Sequence, residues 1–192
     1  MNKRAFNALR KVAADVVCDD RRPVLPNGNK PPQMTNLIGE LASIQDKYIR
    51  RFDGDLVKIG KYLSKPHVQN KMNAAFRQAA KQDGINFRRA LYESATPAEV
   101  EAYRNRLLAD DPEILEGESD EVNAAARDFL RAVGTSSFNR YKEEVRRGKA
   151  PTYRRGPMPK LPKLLKKHKP ALDIMSNLFV HNTTDNKYSD IG

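Results

Sequence analysis

Residues 96–108 read TPAEVEAYRNRLL, and the fold class turns on them. Thr96 followed three positions later by Glu99 is a capping box, with Pro97 at the first helical position, where its missing N–H removes no hydrogen bond. Val100, Tyr103, Leu107 and Leu108 then recur at helical spacing, so a helix opens here with one apolar face. Residues 119–133 repeat the logic. Ser119 or Asp120 caps, Val122, Ala125, Ala126, Phe129 and Leu130 face inward, and Gly134 is the expected stop. Residues 138–147 predict one more helix before the prolines begin.

Upstream, residues 35–63 carry Leu37, Leu41, Ile44, Tyr48, Phe52, Leu56, Ile59 and Leu63 at steps of three or four. This predicts one long helix or two, with Asp53-Gly54-Asp55 as the break, because glycine costs about 1 kcal/mol inside a helix. A further helix follows Pro66, burying Val68, Met72, Ala75, Phe76 and Ala79 and ending near Asp83-Gly84, with another short turn over 85–92. Residues 2–17 read as an amphipathic helix on Phe6, Leu9, Val12, Ala13, Val16 and Val17. The run CDDRRPVLPNGNKPP after it, with four prolines and an Asn-Gly, is a linker or an arm laid over a neighbour. No segment alternates as a strand does. The expected fold is therefore all-α, a bundle of four to six helices, organised as an N-terminal helix and Pro-rich arm (1–33), a helical core (34–148) and a basic extended tail (149–192).

Charge is the other organising feature. Of the net +11, +10 falls between residues 145 and 170, where ten Lys or Arg occur with no acid, while residues 110–121 hold seven acids and no base. The two blocks are expected to attract each other, within one chain or between copies. No window approaches the roughly 18 apolar residues of a membrane span, and the first 20 residues lack a signal-peptide core. The expected location is accordingly the cytosol, or a virion assembled there.

The single cysteine, Cys18, and three scattered histidines, His67, His168 and His181, offer no metal-ligand spacing. Nor does the chain show a nucleophile with its base, a phosphate-cradling glycine loop or the spaced ligands of a calcium loop. The reading is of a protein that is not an enzyme, with no catalytic residue, no metal and no cofactor.

What remains is the segment YRRGPMPKLPKLLKKHKP, residues 153–170. Lysine and arginine neutralise phosphates and release counterions, so a basic ribbon binds nucleic acid without needing a particular sequence. Arg146, Arg147, Arg154, Arg155, Lys160, Lys163, Lys166 and Lys167 are the candidate phosphate contacts. Tyr153 is the candidate stacking platform, since aromatic faces stack on unpaired bases at roughly 1–3 kcal/mol each and so favour a single strand. Phe138 and Tyr141 flank Arg140 in the same way, but helical spacing places them on a buried side. A rival reading makes Leu161, Leu164, Leu165, Leu172, Met175 and Phe179 an amphipathic basic helix for a membrane surface or partner groove, which Pro162 and Pro170 weaken. Short basic runs such as KLLKKHK also serve as import signals or solubilising tails.

Residues 134–140, GTSSFNR, follow the helical stretch SDEVNAAARDFLRAV. This resembles the segment closing the last long helix in coat proteins of rod-shaped, tobacco mosaic type plant RNA viruses. The resemblance implies a helical bundle whose copies stack and clamp single-stranded RNA, with Asp120, Glu121 and Arg127 as only rough counterparts of the family's charged residues. This chain runs some fifty residues beyond the motif, unlike the family. Taken together, the sequence leads to a self-associating viral coat or nucleocapsid subunit binding nucleic acid, single-stranded RNA favoured, with itself as homo-oligomeric partner. The alternative is an assembly, scaffolding or internal virion protein whose basic tail binds acidic protein surface, or a ribonucleoprotein-associated factor.

Overall fold

A computed structural model describes residues 23–109 and 114–178. The described residues are helical without strands. The helices are α1 (Thr35–Arg51), α2 (Leu56–Leu63), α3 (Pro66–Glu93), α4 (Pro97–Ala109), α5 (Asp120–Arg146) and α6 (Lys169–Leu178), with a 3-10 segment (Lys163–His168) leading into α6. The all-α bundle is as the periodicity predicts. The helix read over residues 2–17 lies outside the described residues.

Several boundaries sit where local chemistry puts them. The Glu99 carboxylate accepts from the Thr96 N–H at 2.7 Å while the Glu99 N–H donates back to Thr96 Oγ at 3.4 Å, closing the capping box of α4. Ser119 Oγ accepts from the Val122 N–H at the start of α5. Asp53 and Gly54 both take positive φ at the α1–α2 break, and Asp55 caps α2 by accepting from Val57 and Lys58.

Two glycine signals mislead. Asp83-Gly84 does not end a helix, because α3 runs unbroken for 28 residues, about 42 Å at 1.5 Å per residue. Asp83 is instead buried and caps a different helix: its carboxylate accepts from the N–H groups of Asn36 (3.2 Å) and Leu37 (2.8 Å), for which the N-cap residue Met34 supplies no side-chain acceptor. Gly84 lets α6 approach, for a Cβ there would lie 1.8 Å from the Asn177 carbonyl oxygen. Gly134 does not stop α5 either. The helix continues to Arg146, joining the two helices expected over 119–133 and 138–147, because Val133, Ser137 and Phe138 on either side are buried and their packing outweighs the roughly 1 kcal/mol glycine penalty.

The C-terminal region departs furthest from expectation. Residues 149–178 are not an extended tail. Residues 149–162 form a strap along α5, held by Thr152 N–H to Glu144 (2.8 Å), Gly156 N–H to Ser137 Oγ (3.2 Å) and Ser136 Oγ to the Pro157 carbonyl (2.7 Å). After the 3-10 segment, α6 buries Leu172, Ile174, Met175 and Leu178 against α3 and its neighbours. Pro170 does not prevent this helix, since it occupies the first turn, where no intrahelical N–H bond is lost. The Pro-rich arm is described from Pro23, whose carbonyl accepts from the Tyr103 hydroxyl, and Leu25 beside it is buried.

Two apolar clusters result. One gathers Phe87 and Leu91 of α3 with α4, α5, Leu165 and Met175; the other gathers Val68, Met72 and Phe76 of α3 with α1, Ile174 and Leu178. Helices α3 and α6 therefore contribute to both, and the strap crosses beside them.

Candidate nucleic-acid interface

The strap does not present its cations as a free ribbon. It lays Arg154 and Arg155 beside Arg77 and Lys81 of α3 and Arg140 of α5, around an open groove of about 420 Å³ that also touches Asn177. No carboxylate lines this groove. Arg77 and Lys81 are one helical turn apart on an exposed part of α3, which positions both on the same wall. Arg140 is fixed by bonds to Glu144 (3.0 Å) and to the Arg155 carbonyl (3.2 Å), so a helix and the strap hold it from two sides.

Arg155 is half-buried, and its Nη1 is buried with no hydrogen-bond partner. Burial lowers its pKa, partly offset by the Asp173 carboxylate. Behind Asn177 sits Arg88, 1% exposed, whose Nε donates to the Tyr153 carbonyl (2.7 Å) and Nη1 to the Asn177 carbonyl (2.8 Å). Burial pushes Arg88 down to about 10, with the Arg155 charge adding to the effect, while the Tyr92 hydroxyl opposes it. Glu144 and Asp173 pair with Arg140 and Arg77 from outside the lining, so the groove itself keeps an excess of positive charge, and an anion is its natural counterpart.

The remaining predicted residues divide by partner. Arg146 and Arg147 are both bonded to Glu143 at the end of α5, and these two guanidiniums hold its carboxyl down at about 2. Lys160, Lys163 and Lys166 are exposed, away from the groove lining. Lys167 pairs with Glu118 at 2.9 Å, and His168 Nε2 lies 3.4 Å from the other Glu118 oxygen. The acidic and basic blocks thus meet within one chain at this point; Asp110, Asp111 and Glu113 lie outside the described residues.

Tyr153 is not a stacking platform. It is buried at positive φ, with its ring stacked on Tyr141 at 5.7 Å between centroids and its hydroxyl donating to Glu93. Burial, then the Glu93 carboxylate, pushes it up to about 12. The tyrosine serves to anchor the strap to α3 and α5, which closes its face to any base. Phe138 and Tyr141 join the same aromatic cluster through Tyr92, as their spacing predicts.

Sequence reading misses Arg77 and Lys81, and notes Arg140 only between Phe138 and Tyr141. Each looks like an ordinary exposed helix cation, and only the strap's return past residue 149 places them together. No helix among the described residues is long and apolar enough to cross a membrane. Comparison with protein-family models, curated proteins and solved structures finds no match to this chain.

Proposed function

We propose that the protein is a non-enzymatic coat or nucleocapsid subunit of a virus, which self-associates and binds single-stranded RNA in the cytoplasm and in the virion. The observation that carries this reading is the groove lined by five cationic side chains and no carboxylate, with Glu144 and Asp173 pairing with two of them from outside. It replaces the extended ribbon as the place of phosphate contact: Arg154 and Arg155 keep the role expected of them, and Arg77, Lys81 and Arg140 join them. Self-association is supported by the outer apolar surface of α2, which buries no residue of its own and leaves Leu56 78% and Val57 69% exposed. The likeness of residues 134–140 to rod-virus coat proteins agrees with this reading, although here the run lies inside α5 rather than at its end.

The test is fluorescence anisotropy of a labelled single-stranded RNA at several salt concentrations, with light scattering on the same samples. Five phosphate contacts to a single strand predict a log–log salt slope of about −3.5 at most. Binding with no salt dependence, or no binding, defeats the proposal. The second reading, a basic segment that docks on acidic protein surface, has its own observation in the Lys167–Glu118 pair. Exchange of that intrachain pair between two copies predicts oligomers that form without RNA and dissolve on Glu118→Gln.

A further inference from the structure

Beside the cationic groove lies a second one of about 330 Å³, and the two share Arg77, Arg155 and Asn177. Its character differs. Phe129 of α5 and Leu172 of α6 lie with Met158, Pro159 and Leu161 of the strap on its apolar side. Arg77, Arg155, Lys169, Asp173 and Asn177 line the rest, so it is a slot of mixed character between the bundle and the strap. At its rim stand polar groups, with Asp173 bonded to Lys169 at 2.6 Å and 3.9 Å from Arg77. Arg155 stands at the junction, carrying the buried Nη1 that lacks an acceptor.

A slot with one apolar side and one polar side, opening directly from a cationic groove, has the chemistry of a nucleotide seat: the backbone anion lies against the guanidiniums, the base face meets the apolar side and the base edge meets the polar groups. We infer that this slot receives an unpaired nucleobase of the strand whose phosphates occupy the adjoining groove, with Arg155 contacting the linking phosphate. The inference rests on the nucleic-acid reading above and adds to it the reason for a single strand. A base held in a duplex cannot leave its stack without losing pairing, whereas an unpaired base exchanges stacking in the strand for contact with Met158, Pro159 and Leu161 of the strap, over the buried Phe129 and Leu172. Because the strap forms one wall, the slot exists only while the strap is docked. Its apolar side offers surface to every base face, so preference among bases would come from the polar groups Lys169, Asp173 and Asn177 at the base edge.

The experiment compares a 12-nucleotide single-stranded RNA with a duplex of the same length, each at fixed salt, on the full chain. The single strand is made once plain and once with 2-aminopurine, whose fluorescence rises when it leaves its neighbours. The expected result is single-strand binding about 10-fold or more tighter than duplex binding, in line with the stacking of one base. Fluorescence rises on binding. Leu161→Trp, which fills the slot and leaves every groove cation in place, is expected to remove both effects while duplex binding is unchanged. Met158, 37% exposed at the slot, provides a second variant, Met158→Trp, that blocks the entrance without disturbing the core. Equal binding of the two RNAs, with neither variant changing the single strand, overturns the base seat and leaves the phosphate groove standing. Loss of oligomers in light scattering on Leu161→Trp, with RNA binding intact, overturns it in favour of a protein side chain as occupant. Failure of both RNAs to bind removes the nucleic-acid reading itself.

Discussion

Replacing Gly84 by alanine sets two effects of opposite sign against each other. In an exposed helix the change stabilises by about 1 kcal/mol, because alanine is the better helix former. At residue 84 the new Cβ meets the Asn177 carbonyl, with 1.8 Å to its oxygen and 2.7 Å to its carbon. That oxygen is backbone of α6, so the helix end itself must retreat until the separation is 3.0 Å or more. The same oxygen accepts from Arg88 Nη1 at 2.8 Å in a buried setting. Losing this bond to a charged donor costs about 1.5–3 kcal/mol, and the overpacking itself about 1–3 kcal/mol. Set against the propensity gain, the net destabilisation is about 1.5–5 kcal/mol. For a chain of this size that lowers the melting temperature by about 3–20 °C. Gly39, also helical but with nothing within 4 Å of the place its Cβ would take, is the internal control; its alanine variant is expected to melt slightly higher. The assay is thermal denaturation followed by circular dichroism on both variants, with hydrogen exchange over residues 169–178. A Gly84→Ala protein that melts at or above the parent temperature, with α6 equally protected, refutes the reasoning.

Three further outcomes follow from the same structure. Asp83→Ala strips the acceptor from the first turn of α1 and is expected to destabilise by about 2–5 kcal/mol in urea titration, with exchange loss concentrated at residues 35–41. Lys81→Gln with Arg154→Gln removes two groove cations that make no internal bond among the described residues, so melting is unchanged while the RNA salt slope falls by about 1.4. Glu143 has a folded pKa of about 2 against an ordinary 4.5; a depressed carboxyl contributes stability above its unfolded value and loses it as pH falls through the folded one. Melting temperature of the parent is therefore expected to drop more steeply between pH 4.5 and pH 2 than that of Glu143→Gln.

What is legible in the sequence is whatever is decided within a few residues. Thr96 and Glu99 cap each other, Asp53-Gly54-Asp55 separates α1 from α2, and the spacing of Val100, Tyr103 and Leu107 is sufficient to show their buried face. The misreadings share a cause. Asp83-Gly84 carries the local chemistry of a helix end, yet one residue is spent on capping a helix 46 positions upstream and the other on admitting a carbonyl from far downstream. The candidate site is half visible. Arg154 and Arg155 stand out in a basic run, but Arg77 and Lys81 belong to a helix whose sequence gives no hint of the strap. Tyr153 looks available because it stands between a proline-rich run and two arginines, and sequence does not reveal that Glu93 and Tyr141 wait for it across the bundle.

Arg88 bonds to carbonyls 65 and 89 residues further along. During synthesis at about 5–20 residues per second, α3 leaves the ribosome several seconds before its guanidinium can find either acceptor. A nascent chain therefore carries a cation that its own fold has not yet accommodated, and the two grooves stay incomplete until the strap and α6 have been made. On the proposed reading, a subunit made only through α5 has neither groove, so the RNA-binding surface is completed only when the strap and α6 have been made.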